Sequence, residues 1–429
     1  MKKFYLKCLS IIFCLGMAAG TQSCTDDCET TRTYRTTRAF TISVDQIRAG
    51  IAWQAPQDLI NPGKIYVKDN YIFVNEIKQG IHIIDNTNPA NPVNMGFLKI
   101  PGVIDMAVKG NTLYTDSYTD LVTFDIADIK NIKESGRVKD VFTSGMADGV
   151  TWYYNENIKL LTDYEIKIVT EKYRSNCGFS IVSPNPVYYD LSNYNGSKGP
   201  TSSNGSSSSS STGQGGSMAR FTLYDDFLYT VSQNDLVLFN IRNQSQPVQE
   251  NKINLGWGIE TIFPYQDKLF IGSNTGLYIF DNKEPAKPQL MSMFQHARAC
   301  DPVVVHNNIA YVTLRAGWCG VAPNRLDVID VANLSAPRLI KSYEMQNPAG
   351  LGVDFPSLFI CEGKFGLKSF DASSASDIKL QQHIDKLDAF DVIPLGGKHL
   401  LMVGKDGLYQ YDASNLKDMK LLSVIPVKQ

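Results

Sequence analysis

Four acidic residues recur at one phase of the chain: Asp105, Glu260, Asp301 and Asp391. Each lies about nine residues before an apolar run, and the corresponding residues in three further copies of the pattern are Gly63, Ala219 and Ala349. Carboxylates brought close together have a limited chemistry. A pair flanking a glycosidic bond serves as acid with base or nucleophile. A group of four repels unless it is paired, protonated or bound to a cation. The plainer alternative is structural, with each Asp accepting backbone N–H bonds and pinning its own loop.

Two cysteines, Cys300 and Cys319, bracket a second group of unusual residues. Arg315 and Trp318 lie between them, Trp257 stands between Gly256 and Gly258, and Tyr118 follows Ser117. Aromatic and Arg side chains on loops stack sugars or anchor protein partners, or else they fold back into the core. A disulfide needs Cα atoms within about 7 Å and would stabilise by roughly 3 kcal/mol in the chain-entropy model. Two separate thiols are the alternative. Zinc is disfavoured, since His296 is the nearest imidazole to Cys300 and structural zinc takes four ligands.

Other chemistries lack their signatures. The chain has no HExxH, Walker loop, GxGxxG or GxSxG, so metalloprotease, nucleotide and serine-hydrolase readings have no support. A net charge of −2 gives no electrostatic case for nucleic acid. No cofactor is expected; a divalent cation among the acids is the one exception the residues allow.

The elements that position these residues are repeats. Seven short segments share one pattern, an aliphatic opening and a closing Asp or Asn. They end at Asp85, Asp125, Asn240, Asp281, Asp330, Asp371 and Asp412. Successive spacings are 40, 115, 41, 49, 41 and 41 residues. A period near 40 is that of a four-stranded propeller blade. Before each segment lies a second apolar run with turn residues between, as in Tyr71-Ile72-Phe73-Val74 and Lys78-Gln79-Gly80, which reads as a hairpin. Four strands per copy follow, A innermost to D outermost. The prediction is an all-β, seven-bladed β-propeller over residues 61–429, with four-stranded antiparallel blades. The spacing of 115 places an insertion at about 142–217. Its first half, with Trp152, Tyr153 and Tyr154, is expected to form a hairpin. Its second half is Ser-rich and expected to be disordered.

Propeller geometry sorts the loops. The D–A and B–C connections share one face, the top. The insertion, the extension around Arg315–Arg325, Cys300, Cys319, Trp257, Tyr118 and the acidic strand starts all map there, so the top is expected to be the working face.

The repeat resembles the LVIVD repeat, named for its own version of this strand C pattern. Over about Asn61 to Pro426 the chain resembles the LVIVD-repeat lipoproteins of Bacteroidetes. The sharpest stretches are Gly80 to Pro92, Asp116-Ser117-Tyr118-Thr119-Asp120, and Cys300-Asp301-Pro302 through Leu314-Arg315 to Cys319. The resemblance implies a propeller and a surface anchor, and no established activity.

The N-terminus agrees with that address. Lys2 and Lys3 precede an apolar run from Cys8 to Gly20, too short to span a bilayer. Thr21-Gln22-Ser23-Cys24 resembles a lipoprotein cleavage site, with Thr21 departing from the usual aliphatic residue. Residues 1–23 are then a signal peptide, Cys24 is the acylated residue, and 24–60 form an acidic tether with a lead-in strand. The expected location is the outer membrane, lipid-anchored and surface-exposed, with membrane lipid as one partner. The expected function is a binding or scaffold module for an unknown surface protein or glycan. The competing reading is a hydrolase or lyase using the carboxylates at the channel mouth.

Overall fold

The computed structural model describes residues 27–147, 149–176, 213–296, 302–316, 323–396 and 398–428. Seven sheets follow the repeat, within 62–99, 106–138, 221–254, 259–295, 303–344, 351–384 and 389–426. Each holds its four strands in chain order, paired antiparallel. The first sheet gains two strands, Gln214–Gly215 beside strand A and Ala52–Gln54 beside strand D.

The closing residue of the repeat explains itself locally. In all seven sheets the strand C terminal Asp or Asn accepts the N–H two residues on, at 2.8–3.2 Å. This is an Asx-turn, which starts the C–D connection without help from elsewhere in the fold. Strand D of every sheet then carries a β-bulge against strand C. A bulged outer strand is a poor template for edge-to-edge pairing.

Strands B and C are buried on both faces, as in Tyr71–Glu76 and Gly80–Asp85. The reason is stacking of sheet on sheet. Strand A of each sheet touches strand A of the next along the series. Apolar clusters fill the spaces between neighbouring sheets. One of them joins Ile65, Ile72, Val74 and Ile84 of the first sheet to Ile393, Leu401, Val403 and Leu408 of the seventh. A recurrent polar contact accompanies the packing, running from one sheet to the C–D turn of its neighbour. Lys341 Nζ donates to Ser376 O at 3.0 Å, Ser369 Oγ to Leu416 O at 2.8 Å, and Ser423 Oγ of the seventh sheet to Pro89 O of the first at 2.6 Å.

A further sheet lies outside the seven repeats. It holds Asp27–Ser43, Leu160–Asn176, Val150–Asn155 and Ser144–Ala147 in that order. Val150–Asn155 and Leu160–Asn176 pair antiparallel, so the expected hairpin is present. The segment read as a tether is structured from Asp27 onward. A strand to Ser43 is followed by a short helix, Val44–Ala49, closed by a Ser43–Gln46 capping box, which satisfies N-terminal N–H groups of the helix. The chain divides into two compact units, 1–38 with 165–194 and 39–164 with 195–429. In the smaller, Thr33 and Thr170 are hydrogen-bonded through their hydroxyls at 3.0 Å. The Ser-rich run, 206–211, lies outside the described residues.

Candidate functional site

The strand starts are built from backbone outward. Asp105 directly precedes strand A of the second sheet, Met106–Lys109, and is 1% exposed. Its Oδ2 takes Lys64 Nζ at 2.5 Å and the N–H groups of Arg220 and Phe221 at 2.5 and 3.2 Å. Its Oδ1 accepts the Met106 N–H at 2.7 Å. Asp116 completes the cluster by accepting the N–H groups of Ile104 and Asp105 at 2.8 and 2.9 Å. Burial pushes the Asp116 carboxyl up to about 6, against those two N–H bonds. Burial lowers Lys64 to about 8 although Asp105 opposes the change. This is a paired interior cluster, in which Asp105 already holds one ammonium and three N–H groups.

Asp391 is also buried. It accepts from Ser217 Oγ at 3.3 Å, and Ser217 Oγ in turn accepts the Leu351 N–H at 2.8 Å. A Cβ on Gly350 would stand 2.1 Å from Asp391 Oδ1, so only glycine fits there. Glu260 lies in strand A of the fourth sheet and is half-buried. Arg315 is half-buried too; burial lowers its pKa and the Glu260 charge opposes that.

Asp105 and Asp391 therefore follow the structural reading of the strand starts. Among the described residues no three His, Cys, Asp or Glu side chains gather to hold a metal ion. Asp105 and Asp391 are consumed by backbone and hydroxyl donors, because strand starts leave N–H groups that a short carboxylate reaches. The channel-mouth hydrolase loses two of its four acids in this way. Asp301, Cys300, Cys319, Trp318 and Cys24 lie outside the described residues.

The reading of Tyr118 is corrected. It is 5% exposed, with its hydroxyl donating to Asp163 Oδ2 at 2.7 Å and its ring edge-on to Trp152 at 5.4 Å. The inserted hairpin covers it, so no ring face remains for a ligand. Trp257 differs. It is 57% exposed, and its loop is braced: the Gly258 N–H donates to Gln233 O at 2.9 Å, and the Asn274 N–H to Gly258 O at 2.8 Å. Gly256 and Gly258 have φ of 87° and 93°, which side chains resist.

Three features escaped the sequence reading. Asp120 receives both Arg48 and Arg137, while Arg48 also reaches Asp140. Asp163 receives Lys78 as well as Tyr118. On strand D, Leu290, Leu339, Leu380 and Leu421 of the fourth to seventh sheets are 42–56% exposed. Their register equivalents in the first three sheets are polar: Asn94, Glu134 and Gln249. The one available signal was the repeated basic-Leu pair in Arg338-Leu339, Lys379-Leu380 and Lys420-Leu421.

Comparison with known proteins follows from this repeat geometry. Residues 62–98 and 298–345 match the family model for the LVIVD repeat. The chain carries LVIVD repeats. Both matched stretches fall on strands of the repeat sheets, the first on strands A to D of the first sheet. The LVIVD-repeat chain is also similar to solved structures. The computationally designed Ika8 protein matches at TM-score 0.50 and 7% identity, covering 87% of this chain and 90% of that one. BamB from Moraxella catarrhalis matches at 0.46 and 9%, covering 92% of each chain. A protein from Lactobacillus plantarum matches at 0.47 and 11%, covering 77% of this chain and 85% of that one. At such identities the likeness is one of fold alone. The fold is all-β and β-propeller-like. No curated protein sequence matches the chain.

Proposed function

We propose that this LVIVD-repeat protein is a closed seven-bladed propeller, anchored by lipid on Cys24 to the outer membrane and exposed at the cell surface. It works as a binding or scaffold module and captures a protein or glycan partner through its top face. Support for closure is the equivalence of the last junction to the others. The Ser423–Pro89 bond, from strand D of the seventh sheet to the C–D turn of the first, repeats the Ser292–Leu334 bond from strand D of the fourth to the C–D turn of the fifth, and the same kind of apolar cluster fills the space. Support for the address is the Lys2-Lys3 start, the apolar run to Gly20 and Ser23-Cys24, in the pattern of Bacteroidetes lipoproteins.

Trp257 carries the binding reading. An indole left mostly in water, on a loop braced by backbone bonds, is a preorganised contact that loses little side-chain freedom on binding. Trp257→Ala is expected to lower partner capture at least tenfold in pull-downs or on a glycan array. Its stability should stay within about 0.5 kcal/mol of the wild type, as for other exposed positions. Capture that survives Trp257→Ala and disappears in Leu380→Ser would move the working surface to the outer strands and end the top-face reading.

The address has its own test. Metabolic labelling with a fatty-acid probe should mark the wild type and leave Cys24→Ala unlabelled. Label retained by that variant refutes the anchor.

A further inference from the structure

Residues Gly213–Ala219 lead into strand A of the third repeat and end on its strand start, Ala219, yet they are bound like a ligand. The Gly213 N–H donates to Val108 O at 3.0 Å, on strand A of the second sheet. Gln214 and Gly215 pair antiparallel with Val67 and Tyr66 on strand A of the first. Gln214 Nε2 donates to Pro394 O at 2.9 Å, on strand A of the seventh. Ser217 Oγ donates to Asp391 of that strand and accepts the Leu351 N–H of the sixth. Ala219 O accepts the Ile262 N–H of the fourth at 2.8 Å. Seven residues thus reach the innermost strands of five sheets. Ser217, Met218 and Ala219 are 1%, 4% and 2% exposed.

The chemistry of this seat is that of peptide recognition. Backbone groups of strand A supply most of the bonds, and an extended segment adds to an open strand edge. No side chain fits at the first position, since a Cβ on Gly213 would stand 2.4 Å from the Tyr66 ring and 2.5 Å from Val67 O. One hydroxyl is read by a buried carboxylate, Asp391. We propose that the space ringed by the strand A edges is a binding site for an extended, small-residue peptide bearing a hydroxyl. The chain holds its own residues Gly213–Ala219 there in cis. This site is separate from Trp257, and its fate does not depend on a partner at the top loops.

The test uses the full chain and a fluorescent synthetic peptide with the sequence of residues 213–219. A Gly213→Val/Ser217→Val double variant blocks the cis segment at its two most demanding positions. Folding is checked by circular dichroism. The folded variant should bind the peptide saturably at one site, at least tenfold more tightly than the wild type, whose own segment competes. A peptide with Ala in place of the Ser should bind at least fivefold more weakly. A folded double variant that binds no better than the wild type overturns the proposal. Should the double variant not fold, hydrogen exchange of Ser217→Ala decides. The Leu351 and Ile262 amides lie on different sheets and share only the cis segment as partner. Both should exchange at least tenfold faster, together. Acceleration of Leu351 alone, with Ile262 unchanged, makes the segment a fixed part of the fold and refutes a displaceable ligand.

Discussion

Asp105→Ala is expected to cost 3–5 kcal/mol, on the order of what breaking a buried ion pair from one side costs. Lys64, 2% exposed, would lose the carboxylate that faces it at 2.5 Å. The N–H groups of Arg220 and Phe221 would lose their shared acceptor, and unsatisfied buried donors add about 1–3 kcal/mol each in the worst case. The terms are not additive, because the donors share one carboxylate. Chemical denaturation of wild type and variant measures the difference. Asp105→Asn keeps an acceptor for the N–H groups and loses the charge, so it should fall between the two. A cost below about 1 kcal/mol for Asp105→Ala would remove the structural account and return Asp105 to the list of ligand-binding candidates.

The second large effect belongs to Asp120. Its carboxylate accepts from Arg48 Nε at 2.8 Å and Arg137 Nη1 at 2.7 Å, and from the Asp140 N–H at 3.0 Å. Burial alone would push this carboxyl up; the two guanidiniums and the N–H outweigh burial and hold it at about 2. Its folded pKa is therefore below the unfolded value of about 3.9. A depressed acid contributes stability that is present above the unfolded pKa and lost as pH falls through the folded one. The shift corresponds to about 2 kcal/mol. Asp120→Asn should thus destabilise by about 2–4 kcal/mol at pH 7, part of it from the charge and part from disrupted geometry. The gap between wild type and variant should narrow from about pH 4 down to about pH 2 as the wild-type carboxylate protonates. A gap that stays constant over that window would show that the guanidiniums do not hold Asp120 in its charged form.

Asp105 stood out as one of four acids in phase and Asp120 as the end of the stretch Asp116-Ser117-Tyr118-Thr119-Asp120, but neither pattern named the partners that hold them. What was legible was local. The closing Asp or Asn of each repeat bonds an N–H only two residues away, so its identity can be read without knowing the neighbours. Continuous apolar runs near a forty-residue spacing announce strands that need cover on both faces, and that cover is supplied by further copies of the same unit. The Trp152–Tyr154 stretch signalled strand pairing for the same reason.

The sequence by itself therefore determined the repeat unit, the number of its copies and the turn chemistry that starts each outer strand. The tertiary structure alone decided how the chemically able side chains are spent. Lys64 and Asp105 meet across 41 residues, Tyr118 and Asp163 across 45, Asp105 and Arg220 across 115, Ser217 and Asp391 across 174. No periodic pattern encodes such pairings. They arise because stacking sheets brings strand starts from distant parts of the chain to one edge, where buried carboxylates must find donors or lose their charge. Tyr118 left the surface because an inserted hairpin covers it, and Trp257 stayed there because its two glycines and its loop bonds turn it away from the core.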